Sequence, residues 1–508
     1  MKETCRNLPF QYRRPRRFSA ALLSILLIGL MLSWASADNV QLRQLTNDGR
    51  SSLEIGSGCS PTGDRVAYYK KVTDESYELR VLEIGSGKSQ AVSGVGFPVS
   101  PTWSRDGKKL AFIFANATTE SSEASLLVWD SESGSVTRTA VREQLASFLL
   151  EDGYAHPQWS PDGSRLLLQI TKHLLIVPAD GSPVSEAAPN TPTLFGEFDE
   201  APNEWSADGS HICFITLDTA GLGQIWSADA KGQNMTPLTD KLPNLWGLSW
   251  SWDGQRIAFT TSQGRLQEER EQGFADIWVM NADGSNPHPL THGTAAALED
   301  RTYWRIFQWT RDSRYVIGWF ARQDQTGAER YRGFAFVDAD TGEVIPAYSY
   351  ETGTSDEIFA FQSWRDSWYG KKVAFAATQY TVLGPRGGEQ RRTDQRSLLK
   401  VFSPADKKMV DLIVYHPAQD RERFQSRPSW TPDSRNIVVT KARIISATTG
   451  KTETDLYLVS LPGVEEAPKP SAPASEPTKP AQLAAPEKAA PVAAPPAAAA
   501  GGLAEIFV

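Results

Sequence analysis

The sequence predicts an all-β fold, a β-propeller of about eight four-stranded blades, closed by its N-terminal strand and followed by a disordered Pro/Ala-rich C-terminal tail. Three observations predict it. A short motif returns eight times at a spacing near fifty residues, a second hairpin follows it in most copies, and the two ends of the repeat region complete each other.

The motif is clearest in PQWSPDGSRLLLQI, Pro157 to Ile170, and recurs as PTWSRDGKKLAFI from Pro101 and PSWTPDSRNIVVT from Pro428. Aligned on the tryptophan, the copies fall at Cys59 (in the Trp position), Trp103, Trp159, Trp205, Trp250, Trp309, Trp364 and Trp430, in steps of 44, 56, 46, 45, 59, 55 and 66 residues. In each, a short strand ends at the tryptophan, Ser-Pro-Asp-Gly or a relative makes a tight turn, and an apolar strand leaves it. Pro and Asp preset the turn, and Gly supplies the positive φ that closes a hairpin at little cost. The repeat tryptophans read as core. The copy at Trp364, SWRDSWYGKKVAFAA, carries two extra residues in its turn.

The second hairpin is visible in ADIWVMNADGSNPHPLTHG, GQIWSADAKGQNMTPLT, GFAFVDADTGEVIPA and LLIVPADGSPV, each a strand, a turn and a strand. The last repeat has only three strands (RPSW, NIVVT, TDLYLVSL), while VQLRQLTND, Val40 to Asp48, precedes the first repeat and reads like the outer strand PLTHG found elsewhere. It is expected to pair with Asp455 to Leu461 and close the ring, leaving few open edges.

The expected organisation is a signal peptide at 1–37, the propeller at 38–463 and the tail at 464–508. RRPRR (Arg13 to Arg17) is a positive leader, Ala20 to Ala35 is an apolar run of sixteen, and Ala35-Ser36-Ala37 is a small-x-small cleavage site, so cleavage after Ala37 is expected. An apolar run of that length falls short of the ~20 residues of a spanning helix, and membrane contact is expected only through this transient segment. Beyond Val464 the chain is Pro, Ala, Glu and Lys without hydrophobic period, a spacer, ending in GGLAEIFV, a candidate docking tag. Without the leader, 46 basic residues stand against 59 acidic, a net charge of −13, which argues against nucleic acid as a partner. Cys59 and Cys213 lie in separate repeats and are expected as two buried thiols.

The unit Pro-x-Trp-Ser-Pro-Asp-Gly-x-x-Ile/Leu-Ala-Phe, followed by Ile-Trp-Val-Met-Asn-Ala-Asp-Gly, resembles the repeat of the TolB family, shared with the propellers of prolyl-oligopeptidase-type enzymes. The resemblance covers Val40 to about Pro462. It implies an extracytoplasmic, periplasmic adaptor that binds envelope proteins or lipoproteins. TolB proteins carry a separate α/β domain before six blades, whereas here about eight repeats follow the leader directly. The hydrolase domain of the oligopeptidases is not expected, because no Gly-x-Ser-x-Gly occurs.

Two strings read as turns. GSGKS (Gly85 to Ser89) has Leu82 where a phosphate loop needs Gly, and DADTGE (Asp338 to Glu343) lacks the ligands of a calcium loop. The six histidines, His156, His173, His211, His288, His292 and His416, lie in different repeats or turns, so no metal, cofactor or catalytic residue is expected. The alternative is an oligouronide lyase or other polysaccharide hydrolase with its site in the channel, as in pectin-fragment lyases with related repeats, and there His156 is the histidine of interest.

Loop lengths point to one end of the ring. The two tight turns of each blade share an end, so the longer connections, TSQGRLQEEREQGF, ARQDQTGAERYRG, QYTVLGPRGGEQRRTDQRS and RIISATTGKTETD, share the other. That elaborated end is expected to bind a partner through Arg322, Arg330, Arg332, Arg386, Arg391, Arg392 and Arg396. Aromatics before the repeat Trp, namely Tyr154, Phe198, Trp246, Trp304, Phe359 and Phe424, either pack between blades or ring the channel mouth to grip a peptide or glycan. An acidic stretch, Glu197, Asp199, Glu200 and Glu204, opposes the arginines. The function expected is that of a non-catalytic binding scaffold in the bacterial cell envelope.

Overall fold

The computed structural model describes residues 40–461 apart from 54–57, 119–120, 142–155, 171–172, 188–202, 266, 268–269, 271–273, 292–300, 324–328, 352–357, 367–370, 384–390, 426 and 447. Eight antiparallel sheets follow one another along the chain as the blades of a β-propeller. Blade 3 shows the plan: Gln158–Trp159, Arg165–Ile170, His173–Pro178 and Ser185–Ala187 run from the inside of the ring outwards in sequence order. The inner strands of blades 1 to 8 end at Cys59, Trp103, Trp159, Trp205, Trp250 and Trp309, pass through Trp364 in Ile358–Asp366, and end at Trp430. The repeat at Trp364 is therefore a full blade.

Closure occurs as the ends of the chain require. Gln41–Gln44 pairs antiparallel with Lys451–Ser460 in register Gln41↔Ser460 to Gln44↔Tyr457, giving blade 8 its outer strand. Side chains fasten the seam: Asp455 accepts hydrogen bonds from Thr46 Oγ1 at 2.9 Å and the Gly49 amide at 3.2 Å. Lys70 pairs with Asp48 at 2.9 Å. Cys59 and Cys213 are buried free thiols, and burial pushes the Cys59 thiol up to about 12.

The turn after the inner strand repeats one set of bonds in blades 2 to 6 and 8. In blade 3, Ser160 Oγ donates to Asp162 Oδ1 at 2.5 Å, the Ser164 amide donates to the same oxygen at 3.0 Å, and the Gly163 amide reaches Ser160 O at 2.9 Å. The hydroxyl-to-carboxylate bond recurs at Ser104, Ser206, Ser251, Thr310 and Thr431, at 2.5 to 2.6 Å. Gly163 sits at φ +66°, where a side chain is strained. Each turn also nests on the preceding one: a Cβ at Gly209 would lie 3.0 Å from Pro161 Cδ, and one at Gly63 only 2.7 Å from Pro432 Cδ. The motif's proline thus covers the next blade's glycine.

Between blades the cores are apolar and continuous. Blades 5 and 6 share Ala258, Ile277, Val279, Trp304, Trp309 and Val316, all buried, and blades 6 and 7 share Ile317, Phe334, Phe336, Val373, Phe375 and Phe402. Tryptophan edges tie the blades together. Trp103 Nε1 donates to Gly58 O at 3.1 Å, Trp159 to Thr102 O at 2.9 Å, Trp205 to Gln158 O at 3.3 Å and Trp309 to Ser249 O at 2.9 Å, each reaching back one blade. The residue six beyond the tryptophan reaches forward: Lys109 Nζ to Gly163 O at 3.0 Å, and Arg256 to Asp340 and Ser313 O, both at 2.8 Å. Blade 1 has no indole, and there the Cys59 amide donates to Ser429 Oγ at 2.9 Å.

Two turns place serine where glycine belongs, Ser313 at φ +57° and Ser434 at φ +54°. Ser313 Oγ accepts the Asp253 amide at 2.9 Å, whereas buried Ser434 Oγ has no hydrogen-bond partner among the described residues. Ser434→Gly is therefore expected to raise unfolding free energy by about 1 kcal/mol. Ser313→Gly should gain less or lose stability, since it removes an acceptor. Denaturant melts of the two variants check this, and equal effects would contradict it.

Candidate functional site

Turn position two and the residue before each tryptophan converge at the tight-turn mouth of the ring. There a cavity of about 740 Å³ opens between blades 1 to 6. Its rim is the second turn residue of successive blades, Pro61, Arg105, Pro161, Ala207, Trp252 and Arg311. Below it stand the residues preceding each tryptophan, Thr102, Gln158, Glu204, Ser249 and Gln308, with Trp103, Trp159, Trp205 and Trp250 between. The volume lies in the range of small-ligand sites.

The rim is held from several sides. Arg105 is exposed and passes from blade 2 to blade 4, donating Nη1 to Ala207 O at 3.2 Å. Arg311 lies over the Trp252 ring at 4.7 Å, a cation–π contact between blades 6 and 5. Trp252 is 42% exposed, so its ring remains open to solvent.

Glu204 is the one ionisable residue in the inner polar belt. It pairs across the sheet with Cys213, so both side chains leave the same face toward blade 5. Its Oε2 accepts the Trp250 amide at 2.6 Å, as Ser429 Oγ accepts the Cys59 amide at the seam. Burial pushes the carboxyl up to about 8, against the lowering effect of that amide and of the Ser249 side chain. Burial and the neighbouring Glu204 carboxyl raise the Cys213 thiol as well. Trp250 Nε1, unlike those of Trp103, Trp159, Trp205 and Trp309, is buried beside the Cys213 thiol of the preceding blade.

The residues expected at the elaborated end lie in two neighbouring extended hairpins. Arg322 ends Tyr315–Gln323 and Arg330 and Arg332 lie on Glu329–Asp338, all in blade 6. Arg391, Arg392 and Arg396 lie on Arg391–Ser403 of blade 7, opposite Leu383, Val382 and Gln379. Arg322 lies over Tyr331 at 6.0 Å, Arg332 over Trp319 at 5.3 Å, and Arg396 Nε donates to Gln379 Oε1 at 2.6 Å. Ring contacts continue from Trp319 to Tyr303 at 5.2 Å, Tyr303 to Phe274 at 6.1 Å, and Phe274 to Arg265 at 5.8 Å. Buried Arg265 grips Asp276 with two bonds at 2.8 and 2.9 Å and anchors this array. Of the segments read as loops, 321–333, 379–397 and 443–455 are thus largely strand, whereas the described part of 261–274 is not. Arg386, Tyr154, Phe198, Glu197, Asp199, Glu200 and His292 lie outside the described residues.

The aromatics do not share one role. Trp246 is 38% exposed with Arg305 over its ring at 5.5 Å. Trp304 is buried against Phe320 at 5.2 Å and Phe424 against Tyr415 at 5.1 Å, both within blade packing. Phe359 lies on the inner strand of blade 7, opposite Gln379. His156 Nδ1 stands 3.2 Å from Ser100 Oγ, and the described wall of the cavity contains no histidine. Glu204, read from sequence as part of an acidic loop, instead lines the cavity. The signal for the cavity was in the alignment: Arg105, Trp252 and Arg311 break the turn's proline position, and Glu204 alone is acidic before a tryptophan.

Fold and repeat chemistry together define an eight-bladed β-propeller of four-stranded blades. Its repeats are TolB-like. The Tol-Pal system protein TolB of Anaeromyxobacter dehalogenans is 35% identical over 91 residues, 18% of this chain and 19% of that protein. The match thus spans about a fifth of the length of the TolB relatives. An uncharacterized protein of Agrobacterium fabrum is 27% identical over 209 residues, 39% of this chain and 67% of its own. Of solved structures, a putative TolB from Agrobacterium tumefaciens superposes with a TM-score of 0.33 at 19% identity, covering 54% of this chain and 88% of that one. Oligogalacturonate lyase in complex with manganese gives 0.42 at 13% identity, covering 83% and 93%. No family model matches the chain.

Glu204 sets a pH dependence of stability. With its value raised, the native state keeps a proton that the unfolded chain sheds above its ordinary 4.5, so stability falls from there up to about pH 8 and then levels. Glu204→Gln removes that loss. Between pH 5 and pH 9 the variant is expected to gain about 2–4 kcal/mol relative to the wild type. Paired denaturant melts check this, and parallel pH profiles would refute it.

Proposed function

We propose that this chain is an exported, TolB-like propeller acting as a non-catalytic binding scaffold in the bacterial cell envelope. Its partner is an envelope protein or lipoprotein that presents an acidic surface, met by the arginine-bearing hairpins of blades 6 and 7. The observation that carries this reading is the placement of Arg322, Arg330 and Arg332 beside Arg391, Arg392 and Arg396 in neighbouring extended hairpins at one end of a rigid ring. Opposite charge at such a face raises association rate and fixes orientation. The envelope setting is supported by the leader-like residues 1–37 and by relatives named as Tol-Pal system proteins.

The test is capture of envelope proteins by the mature chain beside a variant with Arg386, Arg391 and Arg392 changed to Glu, and a second with the same residues changed to Lys. The Glu variant is expected to lose at least about tenfold in retained partner, the Lys variant to keep most of it, and the wild-type interaction to weaken with salt. Equal capture by all three proteins would overturn the reading.

A further inference from the structure

The cavity at the tight-turn mouth lies at the other end of the ring from those hairpins, and it has a chemistry of its own. Arg105 is exposed and uses Nη1 on the Ala207 carbonyl. Arg311 stacks on the open face of Trp252. The wall joins the inner polar belt to flat apolar surface supplied by indole and proline.

We propose that this mouth binds a carboxylate carried on a flat aromatic body, with the carboxylate at Arg105 and Arg311 and the ring among Trp103, Trp159 and Trp252. A cation would meet two guanidiniums. A purely apolar ligand would leave the exposed Arg105 guanidinium at the rim without a countercharge. The one acidic side chain in the wall does not oppose an anion at neutral pH, because burial holds Glu204 protonated up to about 8. Above that it becomes a second anion facing the ligand. The groups packed about it are Ser249 and Trp250 of blade 5 and Cys213 of its own blade, whose raised thiol stays neutral, and an arginine charge does not change over this range. Binding should therefore weaken as pH rises from 7 to 9.

N-acetylphenylalanine is the probe, with N-acetylphenylalaninamide as its uncharged counterpart, titrated by calorimetry and by tryptophan fluorescence. The acid is expected to bind at least about tenfold tighter than the amide at pH 7, and Arg105→Ala to remove most of that preference. The acid's affinity should fall severalfold between pH 7 and pH 9 in the wild type and stay level in Glu204→Gln, which keeps the acceptor for the Trp250 amide. A tetrapeptide ending in a free phenylalanine separates two sources of the same chemistry. Tighter binding than the single residue marks a polypeptide C-terminus, and equal binding marks a small molecule. Equal affinity for acid and amide, or no saturable signal with either up to ~10 mM, would overturn the proposal. The arginine hairpins take no part in these titrations, so failure here leaves the envelope partner untouched, and failure of that reading leaves this one.

Discussion

The fold depends on one contact, the indole N–H of the repeat tryptophans of blades 2, 3, 4 and 6 reaching back to a carbonyl on the inner strand of the preceding blade. A propeller blade is a small twisted sheet that cannot bury both faces alone, so its stability comes from its neighbours. The indole supplies a large apolar face for that packing and one donor that fixes how far round the ring the next blade sits. Trp159, Trp205 and Trp309 all make the bond. Where the tryptophan is absent, at Cys59, the backbone amide takes over by finding Ser429 Oγ, and the seam between first and last blades is held by sheet pairing and Asp455 instead.

That constraint also fixes which residues are free to vary. The tryptophan, the turn hydroxyl and the turn aspartate are each committed to structural bonds. The residue before the tryptophan and the second residue of the turn face the axis, and they are where blades 2 to 6 differ. Proline at turn position two packs over the next glycine, as Pro161 does over Gly209. Exchanging it for Arg105, Trp252 or Arg311 gives up that cover and places chemistry at the mouth. Glu204 shows the same economy: it keeps the acceptor role that Ser429 plays at the seam, yet brings a carboxyl into the wall.

Fold was legible because the repeat states itself in residues that cannot be exchanged cheaply: Gly163 for its positive φ, Asp162 for the turn bonds, Trp159 for the blade contact. Closure by Val40 to Asp48 was legible for a related reason, since a three-stranded last blade leaves an edge that something must cover. The cavity was not read, because it is made of departures from the motif, and a departure has meaning only once the ring brings six turns together. The burial of Trp304 and Phe424 was open for a similar reason: a position before the motif has no fixed face until strand twist and pairing assign one.

The two ends of the ring are therefore built on different physics. At the hairpin end, long strands carry the arginine positions of blades 6 and 7 away from the tight turns. Even there the arginines are not idle: Arg332 lies over Trp319, and Arg396 is bound to Gln379. At the tight-turn end, short turns leave a concave mouth in which charge, indole and an enclosed carboxyl lie within one wall. On the two proposals made above, the first arrangement favours rate and orientation toward a large partner, and the second favours selection of a small chemical group. A closed ring keeps both in fixed relation, because each blade packs its core on its neighbours and the two ends of the chain share one sheet.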